Sequence, residues 1–426
     1  MREKGQDWDW TPGKREIEEL AGWPGRYDTV YDPCISQDGE KIAAIVKTGD
    51  DEWSVCVNGH TWDAGFEKIW NLRFLPDNRL MALVSDTAMW TVAVDGTAWD
   101  NWYEFVWSPV FGKDSPHITV AAQTGLRYFA VTENTPWEND FNALTSLTVS
   151  RDGATTAAVV QHGSFPEADI DKFQEGYFTA ALNGHAWDSS FVNAWELDLS
   201  EDGRHLAAEV RTSIYNYTIA VDGRTWDREF SCVWRPKFHP KDNSVTAPVK
   251  VPGGWTIAQN AEPIWHGRYV QLWHHMYSPD GSRIAAIGAP EYGKWTIVEN
   301  DRPWTTRFKE LVTDAVYNPS GESIACVGKS DGKWYVAVND LVWDTPYDMA
   351  WQPVFSPDGR HVAALVEKKG KYTIAIDGRL LDMEFAAAWH PVFSPDGCML
   401  LVKGVLPKNM GGQYCRYVLK VDNIRE

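Results

Sequence analysis

Large apolar residues return along this chain in a fixed triplet: a leading residue, an aromatic four positions on, and a third, usually aromatic, position four further. The copies are Trp23/Tyr27/Tyr31, Trp62/Phe66/Trp70, Trp99/Tyr103/Trp107, Trp137/Phe141/Thr145, Trp187/Phe191/Trp195, Trp226/Phe230/Trp234, Trp265/Tyr269/Trp273, Trp304/Phe308/Val312, Trp343/Tyr347/Trp351 and Leu381/Phe385/Trp389. Their leading residues stand 39, 37, 38, 50, 39, 39, 39, 39 and 38 positions apart. So steady an interval marks a repeat architecture, in which each unit buries its apolar face against the next.

A spacing of four alone fits either a helix turn or one face of a strand. The rest of each unit decides for strands. A short apolar run enters a tight turn, as in Val354-Phe355-Ser356-Pro357-Asp358-Gly359, and His361-Val362-Ala363-Ala364-Leu365-Val366 follows. A charged turn then leads into the alternating Tyr372-Thr373-Ile374-Ala375-Ile376, and Asp377-Gly378 closes the unit. Asn-Gly and Asp-Gly pairs recur at 58–59, 95–96, 183–184 and 222–223, and such pairs turn hairpins because both residues tolerate positive φ. The predicted unit is three or four antiparallel strands, a propeller blade, and the fold class is all-β. The one helix-like stretch is Lys14–Ala21, within a leading segment of residues 1–22.

The first triplet begins before any complete blade, and the last unit ends where its next triplet should start. Pairing the two ends would close the ring and remove exposed edges. Ten blades exceed the usual four to eight per ring. Two rings of five, residues 23–224 and 225–426, are therefore expected over one large ring, although no linker marks residue 224.

Composition adds constraints. A formal net charge of -19 repels nucleic acid and anionic headgroups and suits a basic protein partner. The chain offers no secretory h-region and no apolar run long enough to span a membrane, so a cytoplasmic location is expected. Cys34, Cys56, Cys232, Cys326, Cys398 and Cys415 form no C-x-x-C pair, which fits reduced, buried thiols rather than a metal or cluster site.

Catalytic motifs are absent: no phosphate-binding glycine loop, no nucleophile elbow, no zinc helix motif. The densest histidine patch is His266, His274 and His275, but the last two are adjacent on a strand and face opposite ways. The Trp-Asp pairs (Asp63, Asp100, Asp188, Asp227, Asp344) recur too regularly for acid–base chemistry and read as hydrogen-bonding turn residues. The tryptophans read as core between blades. Departures from the repeat then carry the functional expectation. The 50-residue interval places its surplus at 161–175, where Phe165, Asp169, Ile170, Asp171 and Phe173 suit partner docking. A smaller insertion lies at 406–413, and Trp8 and Trp10 precede the repeats as candidate interface anchors.

Phe-Ser-Pro-Asp-Gly at 355–359 and 393–397, and Tyr-Ser-Pro-Asp-Gly at 277–281, resemble the repeat of TolB-type, WD40-like propellers. The tryptophan content and Trp-Asp repeats also resemble the TmcD subunit family of the transmembrane redox complex of sulfate-reducing bacteria. That resemblance implies a cofactor-free cytoplasmic scaffold, peripheral to the inner membrane. Its partners would be a cytochrome b, a multihaem cytochrome c and an iron–sulfur subunit like heterodisulfide reductase. The expectation is thus a non-catalytic interaction subunit without cofactors. The alternative is a propeller enzyme or small-ligand binder using the central channel, which needs a distinctive His, Asp or Arg set aimed at the axis.

Overall fold

The computed structural model describes residues 7–163, 176–408 and 412–424. The chain forms ten antiparallel sheets: eight are built from four successive strands, one has its first strand split in two, and one combines three successive strands with a strand from the start of the chain. Blades 1 to 5 begin with the strands Val30–Ile35, Lys68–Phe74, Phe105–Phe111, Leu144–Val149 and Asn193–Leu199. Blades 6 to 8 begin with Lys237–Phe238, Gln271–Tyr277 and Leu311–Tyr317. Blade 9 begins with Met349–Ala350 and Val354–Phe355, and blade 10 with Ala387–Phe393. First strands of neighbouring blades touch one another, as in blades 1 and 2 or 3, 4 and 5, which places them at the hub.

Each triplet straddles two blades. Its leading tryptophan follows the short outer strand of one blade, and its third residue lies on the hub strand of the next. The middle aromatic is the buried member: Phe66, Phe191, Phe230, Tyr347 and Phe385 are all in the core. Its backbone also ties the linker to the third strand, through Trp53 N–H to Phe66 O and Phe66 N–H to Trp53 O, both 2.8 Å. The same reciprocal bridge recurs in blades 1 to 9. Leading tryptophans are mostly half-buried and third residues range from half-buried to exposed, so the core role expected of every tryptophan belongs chiefly to the middle position. In the eighth copy the hub register is held by Thr313, opposite Val327, and Val312 is buried beside it.

The turn between third and outer strand explains the Asn-Gly and Asp-Gly signal. Asn58, Asp95, Glu133, Asn183, Asp222, Asn260, Asn300, Asn339 and Asp377 all have φ between 45° and 49°. Each side-chain oxygen accepts the backbone N–H that opens its blade's second strand, at 2.7–3.0 Å. Glycine follows in five of these nine turns, and at Gly96 it is needed twice over. Gly96 has φ +85°, and a Cβ there would lie 3.0 Å from Cγ of Trp62 in the preceding blade. Trp137 packs likewise on Gly184, and Trp187 on Gly223. The five Trp-Asp aspartates, by contrast, are exposed, and none makes a side-chain hydrogen bond or ion pair among the described residues. The hydrogen-bonding duty expected of them is carried by these turn residues and by Ser-Asp pairs such as Ser356 Oγ to Asp358, at 2.6 Å.

Two expectations are corrected. Most of Lys14–Ala21 is not helical: Gly13–Glu19 is a strand, antiparallel to Gln413–Lys420, that supplies the fourth strand of blade 10, and only Leu20 and Ala21 enter a short 3-10 turn, Leu20–Gly22. Residues 13–19 are thus part of the ring rather than an extension. The ring is also single. An apolar cluster joins blades 5 and 6 through Ala207, Ile219, Phe230, Val233 and Val249, and another joins blades 10 and 1 through Tyr414, Trp23, Ile42 and Val46. Among the described residues no core cluster joins blade 1 to 5 or blade 6 to 10, and residue 224 falls inside the outer strand Arg224–Thr225 of blade 5. The closing interface is additionally latched. The blade 1 turn at Gln37-Asp38-Gly39 receives hydrogen bonds from Lys403 Nζ (3.2 Å), Arg416 Nε (2.8 Å) and the Tyr414 hydroxyl (3.0 Å) of blade 10.

Gly96→Ala should lower stability by about 2–3 kcal/mol, combining left-handed strain with displacement of Trp62. Gly125→Ala, at φ +58° with open space around it, should cost about 1 kcal/mol from strain alone. Equal losses in urea unfolding would refute the tryptophan-on-glycine contact.

Candidate functional site

The two faces of the ring differ. Hub strands start, and second strands end, on one face, here called the upper. Among the described residues, nine of the thirteen exposed large apolar side chains lie there: Tyr31, Trp70, Phe105, Leu126, Ile214, Tyr215, Trp234, Val270 and Tyr292. The other four, Ile264, Leu341, Val342 and Leu380, are on or beside outer strands. Both insertions also join a second to a third strand, in blade 4 between Thr156–Gln161 and Phe178–Leu182, and in blade 10 between Met399–Val405 and Gln413–Lys420. The lower face carries the hydrogen-bonded Ser-Asp and Asn-Gly turns.

Phe165, Asp169, Ile170, Asp171 and Phe173 lie outside the described residues; their flanks, His162 and Tyr177, are joined by a 2.7 Å backbone bond at the upper end of blade 4. Trp8 and Trp10 are half-buried and stacked at 5.9 Å, on a segment tied to blade 10 by Arg416 donating to the Asp9 carbonyl.

Every hub strand with a full register carries a β-bulge just after the third triplet position. Asp32, Asn71, Ser108, Ser146, His274 and Asp314 hold φ between 48° and 58° there. Glu196, Arg235, Gln352 and His390 occupy the matching positions in the other blades, so ten polar residues stand at equivalent places on the ten hub strands. Neighbours in this set interact. Arg235 reaches Glu196 at 3.8 Å. Desolvation lowers the His390 pKa, Lys403 adds to that, and the Asp314 carboxylate, two blades away, opposes it. These His, Asp and Arg groups were not visible in the linear sequence, because each comes from a different blade. Aligning the copies on the third triplet position and reading one residue further finds nine of them; in the eighth copy the hub register is shifted by one and Asp314 lies two residues past Val312.

The histidine patch splits in this frame. His274 is exposed at its bulge, and His275 is buried, 3.0 Å from Thr246 Oγ1, with its pKa pushed down to about 3 chiefly by burial. His266 lies apart, in a lower-face cleft of about 550 Å³ between blades 6 and 7, lined also by His239, Trp265, Tyr277, Asp301 and Arg302. Among the described residues no three His, Cys, Asp or Glu side chains converge as a metal-ligand set. All six cysteines are free; Cys56, Cys326 and Cys415 are buried, but Cys398 is exposed, contrary to expectation.

One second-strand register breaks the repeat. Ile45, Leu83, Val159, Ile287, Val327 and Leu365 hold it in six blades, whereas blade 10 has Lys403 and blade 5 has Glu209. Lys403 belongs to the closing latch. Glu209 has no such partner: it is buried facing the apolar interface with blade 6, and no hydrogen bond reaches its carboxyl among the described residues. Burial pushes its pKa up to about 8, with the Glu196 carboxylate contributing. The same burial, with Glu209 adding to it, raises the Cys232 thiol.

Ten blades closed into one ring define the chain as a ten-bladed β-propeller. No family model matches it, and no curated protein matches its sequence. Solved structures similar to it are a eukaryotic initiation factor, at 12% identity and TM-score 0.48 over 78% of this chain and 90% of that one; TolB from Acinetobacter baumannii, at 14% and 0.31 over 74% and 78%; and the Dos1 propeller, at 13% and 0.35 over 96% and 95%. Likenesses so distant carry nothing about function, and the blade count rests on this chain's own strand pairing.

The Glu209 shift predicts a signed pH dependence. Its folded pKa exceeds the ordinary 4.5, so the folded state keeps a proton that the unfolded chain releases. The cost is absent at low pH, grows as pH rises from about 4.5 to 8, and amounts to about 3 kcal/mol at pH 7. Glu209→Leu should therefore raise the melting temperature, with a gain that widens between pH 5 and 8 and then levels. A gain independent of pH would refute the assignment.

Proposed function

We propose that the protein is a non-catalytic interaction scaffold that engages a protein partner through its upper face. The observation that carries this reading is the asymmetry of an otherwise repetitive ring: exposed apolar side chains collect on the same face as the strand ends that both insertions connect. Clustering of that kind marks interaction surfaces, whereas singly scattered apolar residues do not. The formal charge of -19 favours a basic protein over nucleic acid or an anionic membrane surface. No helix among the described residues is long and apolar enough to cross a membrane.

The finer reading places the scaffold in a membrane-associated electron-transfer complex, beside a cytochrome b, a multihaem cytochrome c and an iron–sulfur subunit, on the cytoplasmic side. It is supported by tryptophan content and repeat character alone. Tagged protein recovered from native membranes in mild detergent should bring these subunits down in near-stoichiometric amounts, with haem absorption in the visible spectrum. A colourless protein without partners would end the redox assignment. Deleting residues 164–175 should leave the thermal unfolding profile intact while weakening recovery of the partner; unchanged recovery would remove that loop from the interface.

A second reading, a small ligand held in the channel, is favoured by the Arg235–Glu196 contact and by Asp314 acting on His390. A ligand that raises the melting temperature of the parent protein should lose that effect in Arg235→Gln. A ligand shift equal in both proteins would exclude this part of the channel.

A further inference from the structure

We propose that the upper face over blades 1 to 3 is the docking site for a basic, arginine-bearing segment of a protein partner, with one guanidinium laid on the indole of Trp70. The proposal rests on the scaffold reading and gives its partner a chemistry.

Trp70 is the starting point. In seven blades the third triplet residue packs its ring on the aromatic that opens the third strand, from Trp273–Trp295 at 4.7 Å to Trp195–Tyr217 at 6.0 Å. Blade 2 breaks this rule. Its third-strand aromatic, Trp90, turns instead to Phe105 of blade 3, with centroids 5.9 Å apart. Trp70 is left without a ring partner among the described residues and is 66% exposed. Phe105 and Tyr31, 48% and 40% exposed, flank it on the adjoining blades. The Tyr31 hydroxyl donates to the Ile69 carbonyl at 3.3 Å, which holds the two hub strands side by side. A large exposed indole costs solubility unless something covers it.

The charge around this arc says what covers it. The residue after the middle aromatic is acidic in three consecutive blades: Asp28, Glu67 and Glu104. The connections between second and third strands add Asp50, Asp51, Glu52 and Asp86, and the hub bulge adds Asp32. The opposing charges along these stretches are Lys47, Lys68 and, further down the blade 2 hub strand, Arg73, on which the Asp32 carboxylate acts. Asp28, Asp32, Asp50, Asp51 and Asp86 are exposed and make no side-chain hydrogen bond or ion pair among the described residues. Carboxylates already satisfied would attract little; these are free to do so. An indole face surrounded by unpaired carboxylates is complementary to a cation. Arginine fits better than lysine, because its planar, weakly hydrated guanidinium stacks on a ring while its edge still donates to carboxylates.

The test uses the full-length protein and a fluorescein-labelled peptide of alternating arginine and serine, followed by fluorescence anisotropy. Binding should weaken about tenfold in Trp70→Ala, and by a similar factor in the double variant Asp50→Asn, Asp51→Asn. It should be lost when glutamine replaces every arginine and should fall on raising salt to about 0.5 M. Tyr292→Ala, on the same face at blade 7, should bind as the parent does. Because Trp70 is exposed, its alanine variant should also melt as the parent does, which separates binding from folding. Equal binding by Trp70→Ala and parent, or by the glutamine peptide, would overturn the docking site. If the Trp70→Ala protein still recovers partners from membranes as the parent does, only this site falls. If neither protein recovers a partner, the scaffold reading falls with it.

Discussion

The architecture depends on one constraint: from blade 2 to blade 10, the linker that enters a blade is also paired to the blade before it. Each linker carries an aromatic buried between two sheets, its backbone paired to the third strand it leaves and its chain continuing into the hub strand it starts. At four interfaces the leading tryptophan also rests on the turn glycine of the blade ahead: Trp62 on Gly96, Trp137 on Gly184, Trp187 on Gly223 and Trp343 on Gly378. Neighbouring blades are therefore joined covalently and by reciprocal backbone bonds within a dozen residues, with a ring-on-glycine contact added at those four interfaces. Displacing one blade means breaking these joins together, and so a ten-membered ring needs no helix, disulfide or metal to hold its shape.

Much of this was legible in the amino-acid order. The triplet spacing gave the blade count, the Asn-Gly and Asp-Gly pairs gave the hairpins, and the offset between first triplet and last unit gave closure by the chain ends. Lys14–Ala21 misled because Glu, Leu and Ala favour a helix locally, whereas the open edge of Gln413–Lys420 demands a strand; tertiary pairing outweighs a propensity of a few tenths of a kcal/mol per residue. Ring number was illegible for a different reason. The contacts between blades use the same residue types at every interface, so a five-blade closure and a ten-blade closure read alike. Only singular residues distinguish them, such as Asp198 of blade 5 bridging to Lys237 of blade 6 at 2.6 Å, and the Lys403, Tyr414 and Arg416 latch.

The candidate site was less legible than the fold. Sequence reasoning placed function in departures from the repeat and found the insertions, which are departures in length. Departures in register were missed: Glu209 among aliphatic residues, Trp70 without its partner ring, and acidic residues at one position in three successive blades. Such differences appear only when the copies are superposed strand by strand, because a substitution leaves the spacing unchanged. The polar set on the hub strands has the same character, ten residues from ten blades that no contiguous motif contains.

Closure by Gly13–Glu19 has a consequence for how the molecule comes into being. Gly13–Glu19 must wait for its partner, since Gln413–Lys420 is made some four hundred residues later. Throughout synthesis the growing arc presents an unpaired blade at one end and a waiting strand at the other, both open to mispairing with another chain. Nine blades can assemble in order as they emerge, each against its predecessor, but the tenth requires the two chain ends to meet across the finished circle. Closing the ring thus requires a long-range pairing between Gly13–Glu19 and Gln413–Lys420, the kind of contact whose loop-closure entropy makes it slow to form.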